Sequence, residues 1–142
     1  MGTINIGELN WLAIIVAAVA TFMLGGMWYT ALFGNAWKKA HGYSEEMCKQ
    51  MQASKPAPVF FSTMMVCYFI IALGVAMLSQ LAGVESAGGG ISLGFVLWLV
   101  VAAVGLTNHI PTNVTFTGYL IDTVYQFIYL LRSAALIGAW GR

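Results

Sequence analysis

Residues Tyr119 to Trp140 read YLIDTVYQFIYLLRSAALIGAW. The run is long and apolar enough to cross a bilayer, which takes about 20 residues of helix. Yet it carries Asp122 and Arg132. At about 100° per residue, Gly118, Tyr125, Gln126, Tyr129, Arg132, Ser133 and Trp140 share with Asp122 an arc of roughly 120°. Leu120, Val124, Phe127, Leu131 and Ala134 take the opposite side, and Thr123 stands apart. The segment therefore reads as an amphipathic membrane helix, one face for lipid and the other for protein, water or solute. Ten residues separate the two charges, about 15 Å along the axis and too far to pair within one helix. At the bilayer centre Asp or Arg costs about 2.5–3.5 kcal/mol, so each needs a partner elsewhere.

Composition agrees with a membrane setting. The 142 residues are 60% hydrophobic and 8% charged, with a mean hydropathy of +0.82, whereas a soluble domain is roughly 25% charged. A net charge of +1 gives no electrostatic basis for nucleic acid as a partner. Three more segments are long and apolar enough to span, so the expectation is a single all-α domain, residues 1–142, built as a four-transmembrane-helix bundle. The spans are placed at about 9–29, 59–82, 91–110 and 117–140. The first is not read as a signal peptide, because no basic residue precedes it and the apolar run is long.

The long polar loop is GNAWKKAHGYSEEMCKQMQASKPAP, Gly34 to Pro58. Ser44 as N-cap, Glu45 and Glu46 in a first turn, and Met47 and Met51 four apart predict a short amphipathic helix ending before Lys55 and Pro56. It is expected to rest on the membrane surface, and Pro58 suits the first turn of the second span. Lys38, Lys39, Lys49 and Lys55 all fall in this loop, against Arg142 alone on the other side. The positive-inside rule then predicts an inner (cytoplasmic) bacterial membrane protein, N-out and C-out, with the first loop cytoplasmic.

Small residues predict where helices meet. Ala13, Ala17, Thr21 and Gly25 form a stripe on the first span, and Gly90 and Gly94 another on the third. Trp28, Tyr29, Phe33 and Trp37 collect at one end of the first span, with Trp11 and Trp140 at the opposite end. Anchoring in the membrane interface is the first reading of these aromatics. In the sharper one WYTALFG turns inward, making Trp28 and Tyr29 vestibule residues.

Asp122 is expected level with TNHIPTNVT, where Thr107, Asn108, His109, Thr112 and Asn113 cluster around the helix-breaking Pro111. An Asp122–His109 pair is a candidate for handling protons or a cation, although satisfied end-of-helix polar groups would look the same. For Arg132 the candidates are Glu8, tyrosine hydroxyls or an anionic ligand. Asn108, Asn113, Gln126, Tyr125 and Tyr129 complete the set of ligand-binding candidates. Cys48, Cys67, His41 and His109 lack metal-ligand spacing, and no cofactor or catalytic motif is present.

The stretches NWLAIIVAAVATFMLGGMWYTALFGNAW and YLIDTVYQFIYLLRSAALIGAW resemble a family of bacterial integral membrane proteins, domain of unknown function 1761. The resemblance rests on Asn10, Trp11, Gly25, Trp28, Tyr29, Phe33, Gly34 and Trp37, then Tyr125, Gln126, Gly138 and Trp140. It implies four spans and no particular activity. Asp122 and Arg132 depart from the family pattern, which resembles Asn and an apolar residue at those positions. The expected function is permeation, transport or sensing of a small solute or ion along the polar face of the last helix. The alternative is a non-catalytic accessory subunit of a larger membrane complex. The expected partners are the lipid bilayer and either a second copy of the chain (a homo-oligomer) or a membrane-complex subunit.

Overall fold

The computed structural model describes residues 2–54 and 56–140. Lys55 and Arg142, which entered the charge count, lie outside the described residues. Six α-helices follow a short 3-10 turn at Ile6–Glu8, and no strand occurs among the described residues. They are α1 (Trp11–Met27), α2 (Gly34–His41), α3 (Glu45–Ser54), α4 (Ala57–Ala82), α5 (Ala87–His109) and α6 (Phe116–Trp140). Helix α1 continues through a π-helical turn at Trp28–Leu32. The spans Trp11–Leu32, Ala57–Ala82, Ala87–His109 and Phe116–Trp140 are long and apolar enough to cross a membrane. Each begins or ends within a few residues of its expected place.

Capping chemistry explains the boundaries. Asn10 caps α1, its Oδ1 accepting from the Ala13 N–H at 3.0 Å. Its Nδ2 donates to the Trp140 carbonyl at 3.1 Å and ties the start of α1 to the end of α6. Ser86 caps α5 through the Gly89 N–H at 3.1 Å, and Ser44 caps α3 through the Met47 N–H at 3.2 Å. Helix α4 stops at Gly83, whose φ of 70° is costly for residues with a Cβ. The N-terminal strap is held by Gln80, which accepts from the Asn5 N–H at 2.6 Å and donates to the Asn5 carbonyl at 3.0 Å.

Helix α6 occupies the centre of the bundle and packs against α1, α2, α4 and α5. Ala13, Ala17, Thr21 and Gly25 are all buried, as a packing stripe should be. The α5–α6 contact is closer still. A Cβ built on Gly90 would lie 2.1 Å from the Ala134 carbonyl oxygen, and one on Gly94 would lie 2.9 Å from that of Leu130. Only glycine lets the two backbones approach so closely. Trp98 then donates to the Thr123 carbonyl at 2.9 Å, and its ring meets Phe127 edge-on at 4.9 Å.

This seam revises the assignment of α6's second face. Leu120 and Val124 are exposed, as a lipid face requires, but Ala134 is fully buried and Leu131 partly so, both under α5. Apolar side chains suit a neighbouring helix and a lipid tail equally well, so hydropathy could not separate the two. The outward faces of α4 and α5 remain apolar and bare, with Val66, Ile70, Val96, Val100 and Val104 exposed.

Candidate functional site

The π-helical turn positions the site. In it the Phe33 N–H reaches the Trp28 carbonyl at 2.8 Å, five residues back, which rotates the chain relative to an ordinary helix. Trp28 and Tyr29 thereby point at consecutive residues of α6. Trp28 Nε1 donates to the Ile121 carbonyl at 3.1 Å, and the Tyr29 hydroxyl donates to Asp122 Oδ1 at 2.5 Å. Trp28 is buried and Tyr29 half-buried, so both turn inward, against the interface-anchor reading. Trp11 and Trp140 stay exposed at the opposite end.

A column of tyrosines separates Asp122 from Arg132. The rings of Tyr29 and Tyr125 lie 5.3 Å apart, those of Tyr125 and Tyr129 5.0 Å, and those of Tyr68 and Tyr129 6.1 Å. Tyr68, Tyr125 and Tyr129 are buried. The Tyr125 hydroxyl donates to the Thr21 carbonyl at 2.7 Å. Gly25 makes room for it, since a Cβ there would stand 2.6 Å from that hydroxyl and 3.4 Å from that of Tyr68.

Arg132 also meets Thr21. Its Nη2 donates to Thr21 Oγ1 at 2.8 Å, and the hydroxyl in turn donates to the Ala17 carbonyl at 2.8 Å. Arg132 Nε is buried without a partner among the described residues. The Glu8 pairing considered from sequence is not formed. Glu8 is exposed and lines a cavity of about 700 Å³ at the terminal end, with Ser79, Gln80 and Glu85. Glu8 lies beyond Arg132 toward the helix end, whereas an Arg side chain on a helix leans back toward its N-terminus.

The loop end holds a second cavity, of about 250 Å³, lined by His41, Asn108, His109, Thr112, Asp122 and Gln126 among others. Sequence-predicted Asp122, His109, Asn108 and Gln126 thus come together. Asp122 and His109 both line the cavity without a mutual hydrogen bond, and the carboxyl group bonds to Tyr29 instead. Asn113 is exposed and does not line it. Tyr125 and Tyr129 belong to the packed core.

Three contributors escaped the sequence reading. His41 enters the cavity because α2 packs on α6, the Thr115 N–H donating to the Ala40 carbonyl at 3.0 Å. Its Nδ1 lies 2.8 Å from the Trp37 carbonyl, and a carbonyl can only accept, so Nδ1 carries a proton and Nε2 is left for other partners. Tyr68 belongs to a buried stripe with Ala72, Val75, Ala76 and Ser79, whose helical spacing was the available signal. Thr21 reads in the sequence as one of a stripe of small residues, and its hydroxyl is what Arg132 grips. The described residues contain no cluster of His, Cys, Asp or Glu able to hold a metal ion.

Four long apolar helices around a polar column define a small polytopic helical membrane protein. A family model described as a protein of unknown function, DUF1761, matches residues 12–138, and the chain belongs to that family, as the resemblance implied. No curated protein and no solved structure matches it.

Proposed function

We propose that the protein binds a small cationic or proton-carrying solute in the loop-end cavity and passes it into the membrane domain, as permeation, transport or sensing. One observation carries this reading: Asp122, the carboxyl group within the spans, opens onto a cavity that also presents His41, His109, Asn108 and Gln126. An ionisable group at membrane depth that faces a cavity marks a solute path more often than a structural contact. Tyr29 fixes the carboxyl through one oxygen, Oδ1. The second oxygen and the histidines are then the groups a solute meets.

Proteoliposomes provide the test, using a pH-reporting dye inside and a panel of monovalent cations and small amines outside. At least one of these probes should move faster than through protein-free vesicles. Asp122→Asn should cut that flux about ten-fold without changing the size of the purified assembly. Equal flux through Asp122→Asn and the parent protein rejects the reading.

The alternative is a non-transporting accessory subunit, since the bare apolar face of α5 suits a neighbouring helix as well as it suits lipid. A stoichiometric foreign chain retained through gentle-detergent purification favours the accessory role, and a pure homo-oligomer rejects it.

A further inference from the structure

We propose that Arg132 anchors a binding site for a small monovalent anion, of halide to short-carboxylate size, at mid-depth between α1 and α6. This site lies apart from the loop-end cavity, so either idea can fail while the other stands. Depth comes first. Thr21 is the eleventh residue of the 22-residue span Trp11–Leu32, about 15 Å from either end. The guanidinium that grips its hydroxyl has therefore not snorkelled outward, although Arg132 lies only eight residues from Trp140.

A guanidinium presents five N–H donors. One goes to Thr21, and Nε is buried without a partner among the described residues. A hydroxyl does not neutralise a cation held at this depth, where Arg is among the most costly side chains. The fork geometry of guanidinium favours an anion that takes two donors at once.

The charged groups that could supply the anion are excluded in turn. Asp122 is ten residues back and bonded to Tyr29. Glu8 and Glu85 line the cavity at the terminal end, and Glu45 and Glu46 lie on α3 at the loop end. Lipid phosphates sit at the interface, beyond reach of a guanidinium fixed on Thr21. A second copy inserted in the same sense holds its own Asp122 at the same loop-end depth and so misses Arg132. Neither this chain nor a parallel copy of it brings an acid to the guanidinium, and a small soluble anion is the occupant that fits its remaining donors. Thr21 suits this role because its hydroxyl donates to the Ala17 carbonyl, which turns a lone pair toward Arg132 Nη2.

The purified protein should be titrated with chloride, nitrate or acetate against gluconate at constant ionic strength. Two readouts serve: the unfolding midpoint by tryptophan fluorescence, and quadrupolar NMR line broadening of chloride. A small anion at ten times its dissociation constant should multiply the folded-to-unfolded ratio about eleven-fold. Arg132→Gln should abolish both responses, and Arg132→Lys should keep a weaker one. If Arg132→Gln does not fold, Thr21→Val is read instead and should weaken anion affinity at least three-fold. The proposal is overturned if gluconate protects as well as chloride, or if no anion acts. It also fails if Arg132→Gln keeps the response or Thr21→Val leaves affinity unchanged. Cross-linking of a neighbouring chain's carboxylate to Arg132 would likewise reject it.

Discussion

A carboxyl group and a guanidinium on one membrane helix can face each other, face water, or take partners from a neighbouring helix. Here both take partners from α1, Tyr29 for Asp122 and Thr21 for Arg132. The partners are uncharged hydroxyls, so each contact is a hydrogen bond to an ionisable group, worth about 1.5–3 kcal/mol, and no ion pair is involved. The Tyr125 bond to the Thr21 carbonyl joins two neutral groups and is worth about 0.5–1.5 kcal/mol. Tyr29→Phe should therefore destabilise the folded protein by about 1.5–3 kcal/mol, and Tyr125→Phe by roughly half as much. Unfolding in mixed micelles measures both. If the two losses are equal, or their order is reversed, the Tyr29–Asp122 contact is not the stronger one. A double-mutant cycle of Tyr29→Phe with Asp122→Asn isolates the pair, and its coupling should vanish if the two side chains do not meet.

At the scale of elements the α5–α6 seam decides whether the bundle closes. Gly90→Ala would place a methyl group 2.1 Å from the Ala134 carbonyl oxygen, and that atom is backbone, so α5 must move away. Forcing extra carbon into such a contact costs about 1–3 kcal/mol. Moving α5 also stretches the Trp98–Thr123 hydrogen bond. Gly74→Ala on α4 meets nothing within 4 Å and serves as the control, expected to be neutral or to stabilise by about 0.5–1 kcal/mol. Equal stability for the two alanine variants would show that the seam is not tight. The spacing of Gly90 and Gly94 announced this contact, and the stripe Ala13, Ala17, Thr21 and Gly25 announced the α1 packing. What could not be read was the π-helical turn and α2. A shift from four- to five-residue hydrogen bonding leaves no mark in apolar periodicity, yet it aims Trp28 and Tyr29 at α6 and brings His41 to the cavity. Tyr68 stayed hidden because α4 is apolar on every side, so its buried stripe with Ala72, Val75, Ala76 and Ser79 stands out little from the exposed faces.

For the whole molecule, the spans and the charge on their connections come from the same residues but make separate claims. Four helices are long and apolar enough to cross, and if all four do, residues before α1 and after α6 share one side. Which side depends on Lys38, Lys39 and Lys49, which the fold gathers in and beside the short helices α2 and α3. The two free cysteines report on this directly. Cys48 lies on α3 among those lysines and is partly exposed, whereas Cys67 is exposed on the outward face of α4, midway along an apolar span. A membrane-impermeant maleimide should therefore label Cys48 from one side only and leave Cys67 untouched. A membrane-soluble maleimide should reach both. If the positive-inside rule holds here, intact cells and right-side-out vesicles resist the impermeant reagent, and inverted vesicles take it up at Cys48. A Cys67→Ser variant should give the same pattern with Cys48 as its single thiol. Labelling of Cys48 in intact cells would reverse the orientation and place the Asp122 cavity on the external face. Equal labelling from both sides would mean that the lysine bias is too small to orient the chain, and that both orientations coexist in one membrane.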